Sequence, residues 1–260
     1  MAEHYSYEQR IVCFIDILGF SNRIKQTEKE TAEAAQLLDD TCDALDLLNT
    51  YQQIMQFKTD IENIKVTQFS DSIVITFPWN ENDDSLYRGL KAIRYIQATM
   101  LKLYGVLLRG GIVLGNIIHT DKLLLGPAMV SAYELESKCA VSPRIVIDPK
   151  VAFRFSRVKK RKLERKDVVS KYIIHKDLDD TSYIDYFNFE ENEIFNNDEL
   201  LEYFKQLCEM IAKYVDSSDI SIRMKYLWMR NKIKKSNLFK LPEYATVYKQ
   251  IVTNKNKGNK

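Results

Sequence analysis

The run IVCFIDILGF, residues 11–20, is apolar enough for a buried strand, yet it carries a carboxylate, Asp16, near its middle. Moving an ionised carboxylate into an apolar interior costs several kcal/mol unless a cation, a metal or good hydrogen bonds compensate it. The chain must therefore adopt a fold that brings a partner to Asp16. At 260 residues it is long enough to bury a sizeable core, which points to one large domain or one domain with an appendage.

Strand and helix patterns alternate around this run. Residues 10–18 read as a β-strand and roughly 29–57 as helix, with leucines and alanines at three- and four-residue spacing in AEAAQLLDDTCDALDLLNTY. The segment IKVTQFSDSIVITF, 64–77, has two β-branched runs about a polar centre, the pattern of a hairpin with Ser70 and Asp71 at its turn. A helix is expected from about 84 to 104, and a glycine-interrupted strand over VLLRGGIVLGNII, 106–118. Next come an amphipathic helix over AMVSAYELESKC, 128–139, with Ala128, Ala132, Leu135 and Cys139 on its apolar stripe, and a short strand RIVID stopped by Pro149. From about 157 the composition turns basic, then rich in Tyr and Asp, before helices near 198–215 and 218–235. The pattern divides into a core at 1–155, a C-terminal part of the same domain at 156–252, and a tail at 253–260, TNKNKGNK, with a disordered composition.

Composition removes several classes of function. The formal net charge is +2, so the molecule as a whole is no polycation. Cys13, Cys42, Cys139 and Cys208 are far apart with no CxxC pair and no secretory leader ahead of them, which favours reduced thiols in a cytoplasmic protein over a cysteine zinc site. His4, His119 and His175 are scattered and support neither a zinc cluster nor a Ser-His pair. No apolar stretch approaches the roughly 18 residues that span a bilayer, so no membrane partner is expected. The run RVKKRKLERK, 157–166, has seven basic residues against one glutamate. It could contact phosphate backbones, although a charge run without a nucleic-acid motif is usually a solvated segment.

If the strand at 10–18 lies beside the hairpin at 64–77, Asp16 and Asp71 converge at one sheet edge and can share divalent cations. Magnesium favours one or two carboxylates supplemented by substrate phosphates, and paired ions activate a hydroxyl while stabilising a leaving phosphate. Asp16 capping a turn and Asp71 standing in an exposed hairpin is the plainer reading of the same residues.

The ordered set FIDILGF, FSDSIVI, RGGIVLG and GPAMVSAYELES resembles the catalytic core of the class III nucleotidyl cyclases. With PRIVID and the late KYLW it is similar to the small single-domain cyclases of bacterial anti-phage systems, the Pycsar pyrimidine cyclases, over roughly residues 10–235. The resemblance implies an α/β (α+β sandwich) fold with a mainly antiparallel sheet flanked by helices and a ferredoxin-like core. It also implies a head-to-tail homodimer whose sites form between subunits. By the same resemblance, Asp16 and Asp71 bind two Mg²⁺ or Mn²⁺ ions, helped by the backbone of Ile17. The amides of Leu18, Gly19 and Phe20 face the triphosphate, and Arg109 of RGGIVLG contacts phosphate. The alternative for Arg109 is pairing with a structural carboxylate.

Departures from the purine-cyclase pattern are informative. Thr67, four residues before Asp71, stands where purine enzymes place lysine or glutamate to read the base, and Leu123 stands where adenylyl cyclases often place aspartate. These substitutions fit a pyrimidine base, UTP or CTP. Val130 and Glu134 stand where the standard enzymes carry a transition-state asparagine and arginine. The missing cation could come from Lys138, or from Lys225 or Arg223 of a partner subunit. An adenylate or guanylate cyclase, and a degenerate nucleotide-binding protein, are the remaining readings.

Overall fold

The computed structural model describes residues 5–253 apart from 52, 54 and 56–58. The tail expected to be disordered lies, from residue 254 on, outside the described residues, as does part of the stretch 50–57 read as helix. The strands are β1 (Glu8–Ile17), β2 (Lys65–Phe69), β3 (Ser72–Pro78), β4 (Leu108–His119), β5 (Leu124–Leu125), β6 (Ile145–Ile147), β7 (Ile174–Lys176) and β8 (Ser182–Ile184). The α-helices are α1 (Phe20–Thr27), α2 (Ala32–Asn49), α3 (Ser85–Tyr104), α4 (Pro127–Cys139), α5 (Pro149–Glu164), α6 (Asn197–Tyr214), α7 (Ile220–Lys235) and α8 (Pro242–Tyr248).

The strands form one sheet in the order β2-β3-β1-β4-β6-β8-β7, with β5 paired to β4. Among the described residues only β4 and β6 run parallel, and every other pair is antiparallel. The four strands β4-β1-β3-β2, with helices joining β1 to β2 and β3 to β4, have the ferredoxin-like order. β1 is buried on both faces from Ile11 to Ile15, and its apolar continuity is that of a central strand. Val12, Phe14, Val74, Val113 and Ile117 form one face and pack against Ala128 and Ala132 of α4. Gly111 lets α4 come close: a Cβ there would lie 2.4 Å from the carbonyl oxygen of Ala132.

The chain divides into two compact units. One contains the chain up to Ile93 with Leu108–Val169 and Ile174–Ile184; the other contains Arg94–Leu107, Ser170–Ile173 and the chain from Asp185. α5 runs unbroken across residue 155. Within the second unit, α6 opens on a reciprocal capping box between Asn196 and Glu199. The fully buried Arg94 pairs with Glu193 at 2.6 Å. Tyr214 stacks on Tyr226 at 4.8 Å and Trp228 meets Phe187 edge-on, so these rings pack α7.

FSNRIKQT, 20–27, is a separate helix, α1, and none of its residues is buried. Most of the basic run forms the last turns of α5, held by the acidic loop at 81–84 and by Asp167. Lys162 and Arg165 both reach Asp84, at 3.0 and 2.7 Å, and Asp167, at 3.2 and 3.0 Å. Arg161 donates to the carbonyls of Glu81 and Asp83. Much of the charge offered to nucleic acid is thus neutralised within the chain.

Candidate active site

The strand register builds a polar row across the sheet. Asp16 lies opposite Ser72 of β3 on one side and Arg109 of β4 on the other. Ser72 Oγ donates to Asp16 Oδ1 at 3.0 Å, while Arg109 Nε and Nη2 approach Asp16 Oδ2 at 3.1 and 3.0 Å. The same Arg109 Nε lies 2.8 Å from Oε1 of Glu136, a buried residue that α4 brings down over the row. That contact is an ion pair at short range but lacks hydrogen-bond alignment, and Oε1 is left without a hydrogen-bond partner. Arg109 therefore pairs with carboxylates in this structure, the alternative open in the sequence.

Asp71 follows Ser70, whose φ of 53° lies in the left-handed region. This turn directs the Asp71 carbonyl at β1, where it accepts the Ile17 amide at 3.1 Å. The hairpin end is thereby tied to the strand segment bearing Asp16, and the Asp71 charge helps raise the Asp16 pKa. Burial is the main cause of that rise, opposed by the bonds from Arg109 and Ser72. Glu136 is also raised, by burial first, with Arg109 opposing and Asp16 adding.

These carboxylates suit a divalent cation. Asp16 and Glu136 share the Arg109 guanidinium and the Asp71 charge acts on Asp16, leaving an excess of negative charge and one unbonded buried oxygen. Among the described residues no three His, Cys, Asp or Glu side chains converge as a metal site. Mg²⁺ needs no all-protein cage, since one or two carboxylates supplemented by substrate phosphates suffice. With its amide committed to Asp71, Ile17 has only its carbonyl oxygen to offer an ion.

Beyond Ile17 the chain turns at once into α1. Gly19 takes φ 80°, ψ 17°, a conformation that costs a residue with a Cβ, and caps the helix N-terminus. Asn22 and Arg23 donate back to its carbonyl. Leu18, Gly19 and Phe20 thus lie where helix-opening amides follow directly on the Asp16 strand, a geometry suited to anions.

The remaining expected residues are dispersed. Thr67 of β2 shares the sheet face of Asp16 and bonds His119 Nε2 at 2.8 Å. Leu123 closes the turn after β4 through its amide and carbonyl, both bonded to Thr120, and so offers only an apolar side chain. Val130 is exposed, and Glu134 is paired with Lys138 at 3.1 Å on the outer side of α4. Lys225 and Arg223 lie on α7, in the second unit. Sequence reasoning missed Ser72, Glu136 and His119. Glu136 had a legible signal, since it follows Ala128 and Ala132 at four-residue spacing and so interrupts an apolar stripe, as Asp16 interrupts its strand.

No protein-family model matches the chain, and no curated protein matches it. Solved structures do. The guanylyl cyclase domain of the RhoGC fusion protein from the aquatic fungus Blastocladiella emersonii is 16% identical, covering 68% of this chain and 95% of its own, with a TM-score of 0.47. The adenylyl cyclase CyaB from P. aeruginosa is 16% identical, covering 59% of this chain and 83% of its own, with a TM-score of 0.44. An adenylate/guanylate cyclase/hydrolase from Silicibacter pomeroyi is 15% identical, covering 69% and 98%, with a TM-score of 0.41.

Proposed function

We propose that this chain is a metal-dependent nucleotidyl cyclase that converts UTP or CTP into the 3′,5′-cyclic nucleotide and diphosphate, the product serving as a second messenger in bacterial anti-phage defence. The observation that carries the cyclase reading is the acidic pair Asp16 and Asp71, tied together through the Ile17 amide directly ahead of the helix-opening amides of α1. The pyrimidine and anti-phage parts rest on the resemblance of the ordered motifs and on Thr67 and Leu123 in place of purine readers.

Asp16 and Asp71, with the Ile17 carbonyl, would hold Mg²⁺ or Mn²⁺. Such ions, when bound, offset triphosphate charge and make the ribose 3′-hydroxyl more acidic. The amides of Leu18, Gly19 and Phe20 orient the phosphates. Arg109, on leaving Asp16, can offer its fork to phosphate oxygens while keeping Glu136 as counter-ion. The 3′-oxygen then bonds to the α-phosphorus, the bond from that phosphorus to the bridging oxygen breaks, diphosphate leaves, and the hydroxyl proton passes to water. A second copy of the chain in a homodimer supplies base or phosphate contacts, Lys225 among them.

A second reading, nucleotide binding without turnover, is favoured by one observation: the two α4 positions that carry transition-state groups in the standard enzymes are an exposed valine and a glutamate paired in cis. Incubation with ATP, GTP, CTP and UTP separately, with Mn²⁺ and then Mg²⁺, and mass analysis of the products separates the readings. Cyclic UMP or cyclic CMP supports the proposal. Cyclic AMP or GMP makes this a purine cyclase, and bound nucleotide without product from any of the four supports the second reading.

A further inference from the structure

One buried polar chain is not used by the chemistry above. Arg10 of β1 is almost fully buried, and its Nε donates to Thr76 Oγ1 at 3.0 Å. Thr76, itself fully buried, lies 2.9 Å from His119 Nδ1, and His119 Nε2 lies 2.8 Å from Thr67 Oγ1. Arg10 is held in turn by Glu8 at 3.0 Å and by the carbonyls of Asn63 and Thr76.

The donors can be assigned along this chain. A guanidinium has no acceptor, so Arg10 Nε–H must donate and Thr76 Oγ1 must accept. The Thr76 hydroxyl proton then needs its own acceptor, and among the described residues its oxygen has one other partner, His119 Nδ1. The opposite arrangement, with Nδ1 donating, strands that proton in a fully buried site, which is the costly error in a polar network. His119 is neutral at ordinary pH, because burial and then the charges of Arg10 and Lys65 lower its pKa to about 4. A neutral ring that accepts at Nδ1 carries its proton on Nε2 and donates it to Thr67. The Thr67 hydroxyl proton is thereby left to point elsewhere, and Thr67 is only half-buried.

We propose that the Arg10–Thr76–His119 relay fixes Thr67 as a hydrogen-bond donor toward the base, so that the site selects a keto base, UTP, over an amino base, CTP. The inference rests on the reading of Thr67 as a base contact, and it makes His119 a positioning residue that never touches the nucleotide. A carbonyl at ring position 4 takes the Thr67 proton; an amino group at that position leaves two donors facing one another or forces the hydroxyl to rotate. The discrimination expected from one such bond is about tenfold.

Two measurements test it, neither depending on turnover. The first is the nitrogen-15 shift pattern of the imidazoles, with His119 assigned by comparison with His119→Gln: protonation at Nε2 is expected, and protonation at Nδ1 overturns the proposal. The second is equilibrium binding of 3′-deoxy-UTP and 3′-deoxy-CTP, which cannot cyclise, in the presence of Mn²⁺. Wild type should bind the uridine compound about tenfold more tightly, with Thr67→Val reducing the ratio towards one and Thr67→Ser retaining it. Equal binding by wild type, or a preference that survives Thr67→Val, overturns the proposal. A keto preference in a protein that forms no product from the natural triphosphates would leave this inference standing while removing the cyclase reading.

Discussion

Asp16 and Arg109 face each other across the β1–β4 register, with Nη2 of the arginine 3.0 Å from Oδ2 of the aspartate. The residue proposed to bind metal is thus occupied by the protein's own cation, and a metal ion must compete with it. Replacing Arg109 by Ala removes the competitor. Mn²⁺ affinity measured without nucleotide should rise by about tenfold, the scale of one charged hydrogen bond, while turnover falls. An unchanged or weaker Mn²⁺ affinity would show that the pair does not oppose metal binding.

Asp16 is also a stability liability. Burial raises its pKa, so its contribution favours the fold below the unfolded pKa and is lost as pH rises through the higher folded value. At pH 7 the charged form is the strained one. Asp16→Asn should melt at a higher temperature than wild type at pH 7, with the difference shrinking toward pH 4, and should form no product. A lower melting temperature at pH 7 would contradict this account.

The sheet that carries this pair was largely legible in the sequence, and so was the Ser70–Asp71 turn, because apolar alternation and a polar break are local signals. What escaped needed partners distant along the chain. α1 is eight residues long with only Phe20 and Ile24 apolar, too short a run for the helical repeat to stand out. The basic run looked unpaired because Asp84, its main partner, lies 78 residues from Lys162. His119 looked like a scattered histidine until the strand register set it between Thr67 and Thr76, 52 and 43 residues away.

The close approach of α4 to β4 gives a packing prediction. A methyl group at Gly111 would fall 2.4 Å from the Ala132 carbonyl oxygen, a backbone atom that cannot rotate away. Gly111→Ala should cost about 1–3 kcal/mol in urea unfolding and lift Glu136 from Arg109. Wild-type stability in this variant would mean that α4 is less closely seated than described.

His119 gives the protein an acid-sensitive point separate from the carboxylates. Its folded pKa of about 4 lies below the unfolded value of 6.5, so its contribution is complete above the unfolded value and is lost as pH falls through the folded one. Stability should decline between about pH 6.5 and 4, and His119→Gln should flatten that decline. Urea midpoints at pH 7.5 and 5 compare the two proteins; equal slopes would mean that His119 is not buried as a neutral ring.

The most direct test of the account pairs turnover with thermal stability in Asp71→Asn. Asp71 is half-buried, and the contact that ties it to β1 runs through its backbone carbonyl, so the side-chain change should spare the fold. The account predicts cyclic pyrimidine nucleotide from wild type, none from the variant, and melting temperatures within about 2 °C, the shift expected for less than 1 kcal/mol in a chain of this size. Retained turnover with a large loss of thermal stability would make Asp71 a structural residue and contradict the shared metal site.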